Sequence, residues 1–398
     1  MSLNLMPASA NAGARRPKRT LSRRLLSTLL PVAAAGAYGL HHALAGVLHE
    51  ANTRGADVPG TLRNDSAPAL QQDTAGTGPA LQATAKADGV ALGLYQPAFP
   101  DNLSTIEAYR AHTGQGAAVV HWYALWGGWK RDLVADDLDR VAAAGAVPLI
   151  TWEPWAGENA DPAWTLRRSV LSGRHDAYIE SWARGLAAHG QPVLLRWAHE
   201  MHHHPGYPWA VGVNGNTDAD YLAAWRYVRR IFAAFDTGQV QWVWSPNTLG
   251  DAPSGAHETV YRRLYPGDDE VDWVGLDVFN TGPDLDWGAP YWRSFVEVLA
   301  APYEAITRVS RRPVILPEVG CAENGGSKAE WTKQALGAAL GARFPRVRGL
   351  VWFDVAKEQP WQLRSSEAAH HAWLSMLSLQ QFAPTLTVGG PARPAVRP

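Results

Sequence analysis

Two glutamates in this chain stand at or near the ends of short apolar runs. Glu200 follows Pro192-Val193-Leu194-Leu195-Arg196-Trp197-Ala198-His199, and Glu318 lies in Pro313-Val314-Ile315-Leu316-Pro317-Glu318-Val319-Gly320. Runs of this length and apolar content read as buried parallel strands. In a barrel of such strands, polar residues at the carboxyl ends face a common site. A carboxylate pair there is the minimal equipment for cleaving a glycosidic bond, and a separation of about 5–5.5 Å would give retention through a covalent glycosyl-enzyme. One carboxyl must then be protonated at working pH and the other ionised. Partial burial beside a second negative charge raises the pKa of the acid.

The elements that must position this pair alternate along the chain. Apolar runs fall at 90–96, 117–125, 147–153, 192–200, 240–247, 272–280, 312–319 and 347–354. Amphipathic or alanine-rich segments lie between them, clearest at 132–144, 175–188, 218–234, 291–308 and 328–343. Strands alternating with helices imply a parallel sheet. Eight such units over residues 89–380 predict an α/β fold, a (β/α)8 TIM barrel. No glycine-rich nucleotide loop follows any run, which weighs against a doubly wound open sheet.

Polar and aromatic residues gather at one end of every predicted strand. The second carries His121-Trp122-Tyr123, the third Trp152-Glu153-Pro154-Trp155, and the fourth Arg196, His199 and Glu200. The fifth ends in Trp244-Ser245-Pro246-Asn247, the sixth holds Asp277 and Phe279, the seventh Glu318, and the eighth Trp352-Phe353-Asp354. Period-two geometry puts Arg196, Ala198 and Glu200 on one face, with Arg196 a layer below Glu200, where a guanidinium can hold a carboxylate ionised. There are 19 tryptophans, all between Trp122 and Trp373. Flat rings bury the C–H faces of sugars, so Trp126, Trp129, Trp152, Trp155, Trp209, Trp244 and Trp352 are candidate subsite walls.

Composition narrows the field. Lysine and arginine number 36 against 37 acids, a formal net charge of -1, which gives no electrostatic case for nucleic acid. Cys321 is the sole cysteine, so an intrachain disulfide is impossible. Residues 1–45 combine a basic start, an apolar stretch from Leu25 to about Leu40 and Ala43-Leu44-Ala45-Gly46, the pattern of a secretory signal or an uncleaved signal anchor. The chain is therefore expected to be exported, periplasmic or extracellular, with possible membrane attachment through this segment. Residues 46–88 have the composition of a disordered linker, and 381–398 read as a flexible tail. No cofactor and no metal ion is implied, and nothing specifies an oligomer.

The ordered set of motifs resembles glycoside hydrolase family 26, over about residues 90–375. Its carriers are Arg196-Trp197-Ala198-His199-Glu200-Met201, Tyr207-Pro208-Trp209, Trp244-Ser245-Pro246-Asn247, Val271-Asp272-Trp273-Val274-Gly275-Leu276-Asp277, Pro317-Glu318-Val319-Gly320 and Trp352-Phe353-Asp354. The resemblance implies that Glu200 is the acid/base and Glu318 the nucleophile. It implies that His199 contacts the sugar at the cleavage point and that Trp209 and Trp352 are sugar platforms. Arg196, His121, Glu153, Asn247, Asp277 and Phe279 complete the expected binding set. The implied substrates are β-linked polysaccharides, chiefly β-1,4-mannan. The chain departs from the family pattern at His202, where the family usually has asparagine, and at Phe279, where it usually has a tyrosine bonded to the nucleophile.

Two other functions fit parts of the sequence. His199-Glu200-Met201-His202-His203 matches the zinc metalloprotease pattern H-E-x-x-H, which needs both histidines on one helical face. Pro205, Gly206 and Pro208 follow at once and oppose a helix. A non-catalytic carbohydrate-binding barrel, serving exopolysaccharide synthesis or export, is the alternative that Phe279 motivates.

Overall fold

The computed structural model describes residues 89–114, 116–155, 163–202, 206–285, 289–379 and 382–387. The leader 1–45 and the linker 46–88 lie outside the described residues. The tail 381–398 is described only at 382–387, where Ala383 donates its N–H to Val90 and bridges Ala91. Among the described residues, no helix is long and apolar enough to cross a membrane.

Nine strand segments form one sheet: β1 Ala91–Tyr95, β2 Val119–Leu125, β3 Val147–Glu153, β4 Val193–Trp197, β5 Val240–Trp244, β6 Trp273–Gly275, β7 Val278–Asn280, β8 Val314–Cys321 and β9 Val347–Phe353. Every pairing is parallel, β1 pairs with both β2 and β9, and β6 and β7 both pair with β8. The ring therefore closes. β6 and β7 are two halves of one stave, broken at Leu276-Asp277, so nine segments make an eight-stave barrel. Gly93 marks a close approach inside it: a Cβ there would lie 2.8 Å from the Val119 side chain and 2.9 Å from Val351.

Helices fill the crossovers, among them Ala135–Ala143, Asp176–His189, Asp218–Phe232, Phe295–Val309 and Lys328–Leu336. Two begin on capping boxes, Thr217 with Asp220 and Ser294 with Glu297, which satisfy backbone N–H groups that the first turn leaves without partners. Gly190 ends the helix Asp176–His189 at φ 65, a left-handed conformation that glycine adopts without a Cβ penalty.

Alternation along the strands sorts the aromatic residues. Trp152 stacks on Trp182 at 4.8 Å, Trp242 packs on Phe232 at 4.9 Å, Trp244 on Tyr265 at 5.0 Å, and Trp352 on Trp373 at 5.8 Å. These partners belong to the helical layer or its ends. The tryptophans on alternate strand positions thus form the seam between barrel and helices, and their neighbours of opposite parity point into the barrel. A cavity of about 560 Å³ near the start of β1, lined by Leu92, Tyr109, Arg110, Trp373 and Phe382 among others, has no carboxylate among its described lining residues.

Candidate active site

Glu318 sits within β8 and Glu200 just beyond β4, but they reach the site differently. β8 continues through Glu318 to Cys321, with a shift of register against β9 between Leu316 and Val319 that falls at the glutamate. β4 stops at Trp197, short of the expected 192–200 run. Ala198 and Glu200 then take φ values of 46 and 50, left-handed for residues that carry a Cβ. Such conformations cost on the order of 1–3 kcal/mol each and persist where surrounding structure fixes them. Here the Ala198 N–H donates to Trp152 O at 3.3 Å and the Glu200 N–H to Ser245 O at 2.8 Å. The single face expected for Arg196, Ala198 and Glu200 is therefore not formed. Arg196 points inward from the strand, and a bent segment tied to β3 and β5 carries Glu200 into the same site.

Arg196 is fully buried and links three strands. Its Nη1 donates to Glu318 Oε1 at 2.6 Å and to Thr151 Oγ1 at 3.2 Å, and its Nη2 donates to Asp277 Oδ2. The Tyr123 hydroxyl also donates to Glu318 Oε1, at 2.6 Å. Two donors thus converge on one oxygen of Glu318. Asn247 donates its Nδ2 to Glu200 Oε1 at 2.7 Å.

The two glutamates have contrasting surroundings. Burial, followed by the negative charge of Glu318, pushes Glu200 up to about 7, against an opposing pull from Arg196. Burial also holds Asp277 well above the usual carboxylate range, with Arg196 pulling it down and the charges of Glu318 and Glu200 adding to the rise. As carboxylates, Asp277 and Glu200 have no proton to share, whereas a proton on either makes their contact a hydrogen bond. Glu153, fully buried at the end of β3, is pushed up to about 8 by burial although Trp155 Nε1 donates to its Oε2 at 2.8 Å. Its Oε1 lies 4.0 Å from His199 Nε2.

Aromatic rings line the same end of the barrel. Tyr95 stacks on Phe353 at 4.6 Å and meets Tyr123 edge-on at 5.1 Å. Phe279 sits edge-on to Phe353 at 5.6 Å and beside Trp361 at 5.0 Å. Lys328 anchors the loop carrying Trp361, donating to Pro360 O, Gln362 O and Ser365 Oγ at 2.6, 2.8 and 2.7 Å.

Of the residues singled out in the sequence, Glu200, Glu318, Arg196, His199, Glu153, Asn247, Asp277 and Phe279 gather here. His121 lies beneath, fully buried, with its Nε2 at 2.8 Å from Thr151 Oγ1 and its imidazole held well below its ordinary pKa by burial and by Arg196. It is part of the barrel interior and has no surface for a sugar. Four tryptophans expected as subsite walls are core. Trp152, Trp244 and Trp352 are fully buried on the outward face of their strands, and Trp126 is wedged among Trp152, Tyr178 and Trp197. Trp209, an expected platform, is also fully buried. It stacks on Tyr207 at 4.4 Å and donates its indole N–H to His199 O at 2.8 Å, so it braces the histidine. Trp155 is buried edge-on against Trp209, while Trp129 is partly exposed beside Lys130.

Residues missing from the expected set are Tyr123, Tyr95, Tyr207 and Phe353. Tyr123 had a legible signal, because it lies two residues past His121 and so shares its inward face. Phe279 has no hydroxyl, yet Glu318 does receive a phenol, from β2. The metalloprotease geometry is not formed: residues 198–202 are not helical, and His203 lies outside the described residues. Among the described residues, no cluster of three or more histidine, cysteine or acidic side chains is placed to hold a metal ion.

Comparison with known proteins bears on the family and the fold. The family model described as Glycosyl hydrolase family 26 matches residues 165–331, a stretch that holds both Glu200 and Glu318. Endoglucanase H of Acetivibrio thermocellus is 31% identical over 302 residues, which cover 75% of this chain and 31% of that protein. Beta-1,3-xylanase TXYA of a Vibrio species is 32% identical over 121 residues, 30% of this chain and 24% of that protein. The chain thus spans less than a third of the length of these curated relatives. A modular endo-beta-1,4-mannanase from Cellulomonas fimi superposes with a TM-score of 0.59 at 19% identity, covering 78% of this chain and 76% of that one, a likeness of fold. The family match contains both carboxylates, and the strands of a closed barrel deliver them to one site, which together support a glycoside hydrolase with a family 26 domain over residues 165–331.

Proposed function

We propose that this protein is a retaining endo-β-glycosidase that hydrolyses a β-linked polysaccharide, of β-1,4-mannan type, by double displacement. One observation supports the reading: the two glutamates have contrasting surroundings. Glu318 is ion-paired to Arg196 and accepts a phenol, both on Oε1. Glu200 is pushed up to about 7 and therefore keeps its proton below that pH. In the first step Glu318 attacks the anomeric carbon while Glu200 protonates the leaving oxygen. In the second, Glu200 takes a proton from the water that releases the sugar. Asn247 and Arg196 hold the two carboxyls, and His199 and the Tyr95–Phe353 pair face the sugar.

The substrate class rests on what the similar proteins are called: an endoglucanase, a beta-1,3-xylanase and an endo-beta-1,4-mannanase. Export rests on the leader, 1–45. The test is release of reducing ends from soluble mannan, mixed-linkage glucan and xylan by wild type and by Glu318→Ala. Release by wild type alone supports the reading and names the polysaccharide. Equal release by both, or none by well-folded wild type, sinks it.

A further inference from the structure

Among the described residues, Glu318 Oε1 accepts from two donors, Arg196 Nη1 and the Tyr123 hydroxyl, each at 2.6 Å. The Tyr123 ring has little freedom: it is buried, meets Tyr95 edge-on at 5.1 Å, and lies 4.8 Å from His121 and 6.3 Å from His199. β2 runs as strand through Tyr123, paired with β1 as far as His121 and with β3 at Tyr123 itself, opposite Thr151. A preorganised donor that stays on one carboxylate oxygen acts most strongly when charge returns to that group.

Resting on the double-displacement reading, we propose that Tyr123 is a positioning residue for the nucleophile, one that fixes Oε2 as the attacking oxygen and speeds breakdown of the glycosyl-enzyme. In the first step Oε2 bonds to the anomeric carbon, the glycosidic C–O bond breaks, and the proton of Glu200 goes to the leaving oxygen. Oε1 becomes the carbonyl oxygen of the ester and keeps its two donors. In the second step water bonds to the anomeric carbon and gives a proton to Glu200. The C–Oε2 bond breaks, and its electron pair returns to a carboxylate whose Oε1 is already held by the phenol and the guanidinium.

The test is steady-state kinetics of wild type, Glu318→Ala and Tyr123→Phe on dinitrophenyl β-mannobioside and dinitrophenyl β-cellobioside. These leaving groups make breakdown of the intermediate the slow step. Loss of one hydrogen bond to a charged group is expected to lower kcat by about 10–100-fold. KM should fall with it, because glycosyl-enzyme accumulates. That paired fall is a signature that a merely structural role would not give. A kcat within about twofold of wild type, or a loss confined to a rise in KM, overturns the inference while leaving the hydrolase standing. No turnover by wild type overturns both. If Tyr123→Phe melts early, site-specific fluorotyrosine at 123 keeps the ring and strengthens the donor. It should raise kcat on the same substrates, and an unchanged kcat overturns the inference.

Discussion

Arg196 and Glu318, 122 residues apart in the chain, meet at 2.6 Å in the interior of the barrel. The same guanidinium is paired to Asp277. Removing one partner of a buried pair leaves charge without compensation and costs about 3–5 kcal/mol. Arg196→Met strands two carboxylates, so it should lose at least that much stability, along with turnover. Urea unfolding measures the first. A change below about 1 kcal/mol would show that the network is not what holds these carboxyls.

The proton on Glu200 sets an upper pH limit. Burial and the charge of Glu318 raise its pKa to about 7, so the acid form dominates below that value and is lost above it. kcat/KM should therefore fall about tenfold per pH unit once pH passes about 7. Measured on the polysaccharide that the substrate panel identifies, a profile flat to about pH 9 would remove Glu200 from the role of acid.

Trp352 separates core from cleft. It is fully buried against Trp331 and Trp373, with its indole N–H donated to Trp361 O at 2.9 Å. Its ring stabilises the barrel by being buried among other rings, and it presents no face to a sugar. Trp352→Phe should therefore lower thermal stability yet leave KM within about twofold of wild type. A large rise in KM without loss of stability would restore it as a sugar platform.

The barrel is legible in the sequence because eight apolar runs alternate with helical segments, and the structure closes them into a ring. Elements with a thin apolar face are harder to read. The helix Ser104–Thr113 buries only Ile106 and Tyr109, and Ser254–Leu264 buries His257, Tyr261 and Leu264, too few apolar positions to stand out from their polar background. At the site, residue types located the carboxylates, but the bend at Ala198 and Glu200 was hidden, since neither residue advertises a positive φ as glycine would. The tryptophans show the opposite fault. Their abundance was plain, but parity along each strand decides whether a ring faces the barrel or the helices, and Trp152, Trp244 and Trp352 face the helices. The same parity, applied to His121, would have found Tyr123.

Glu318 should form the covalent intermediate. A fluorinated glycosyl fluoride of the preferred sugar slows breakdown and traps it, and peptide mass spectrometry then locates the label. One sugar per chain is expected, on the peptide that carries Glu318, and none on Glu318→Ala. A label on another residue, or full turnover with no label and an inverted product, would contradict it.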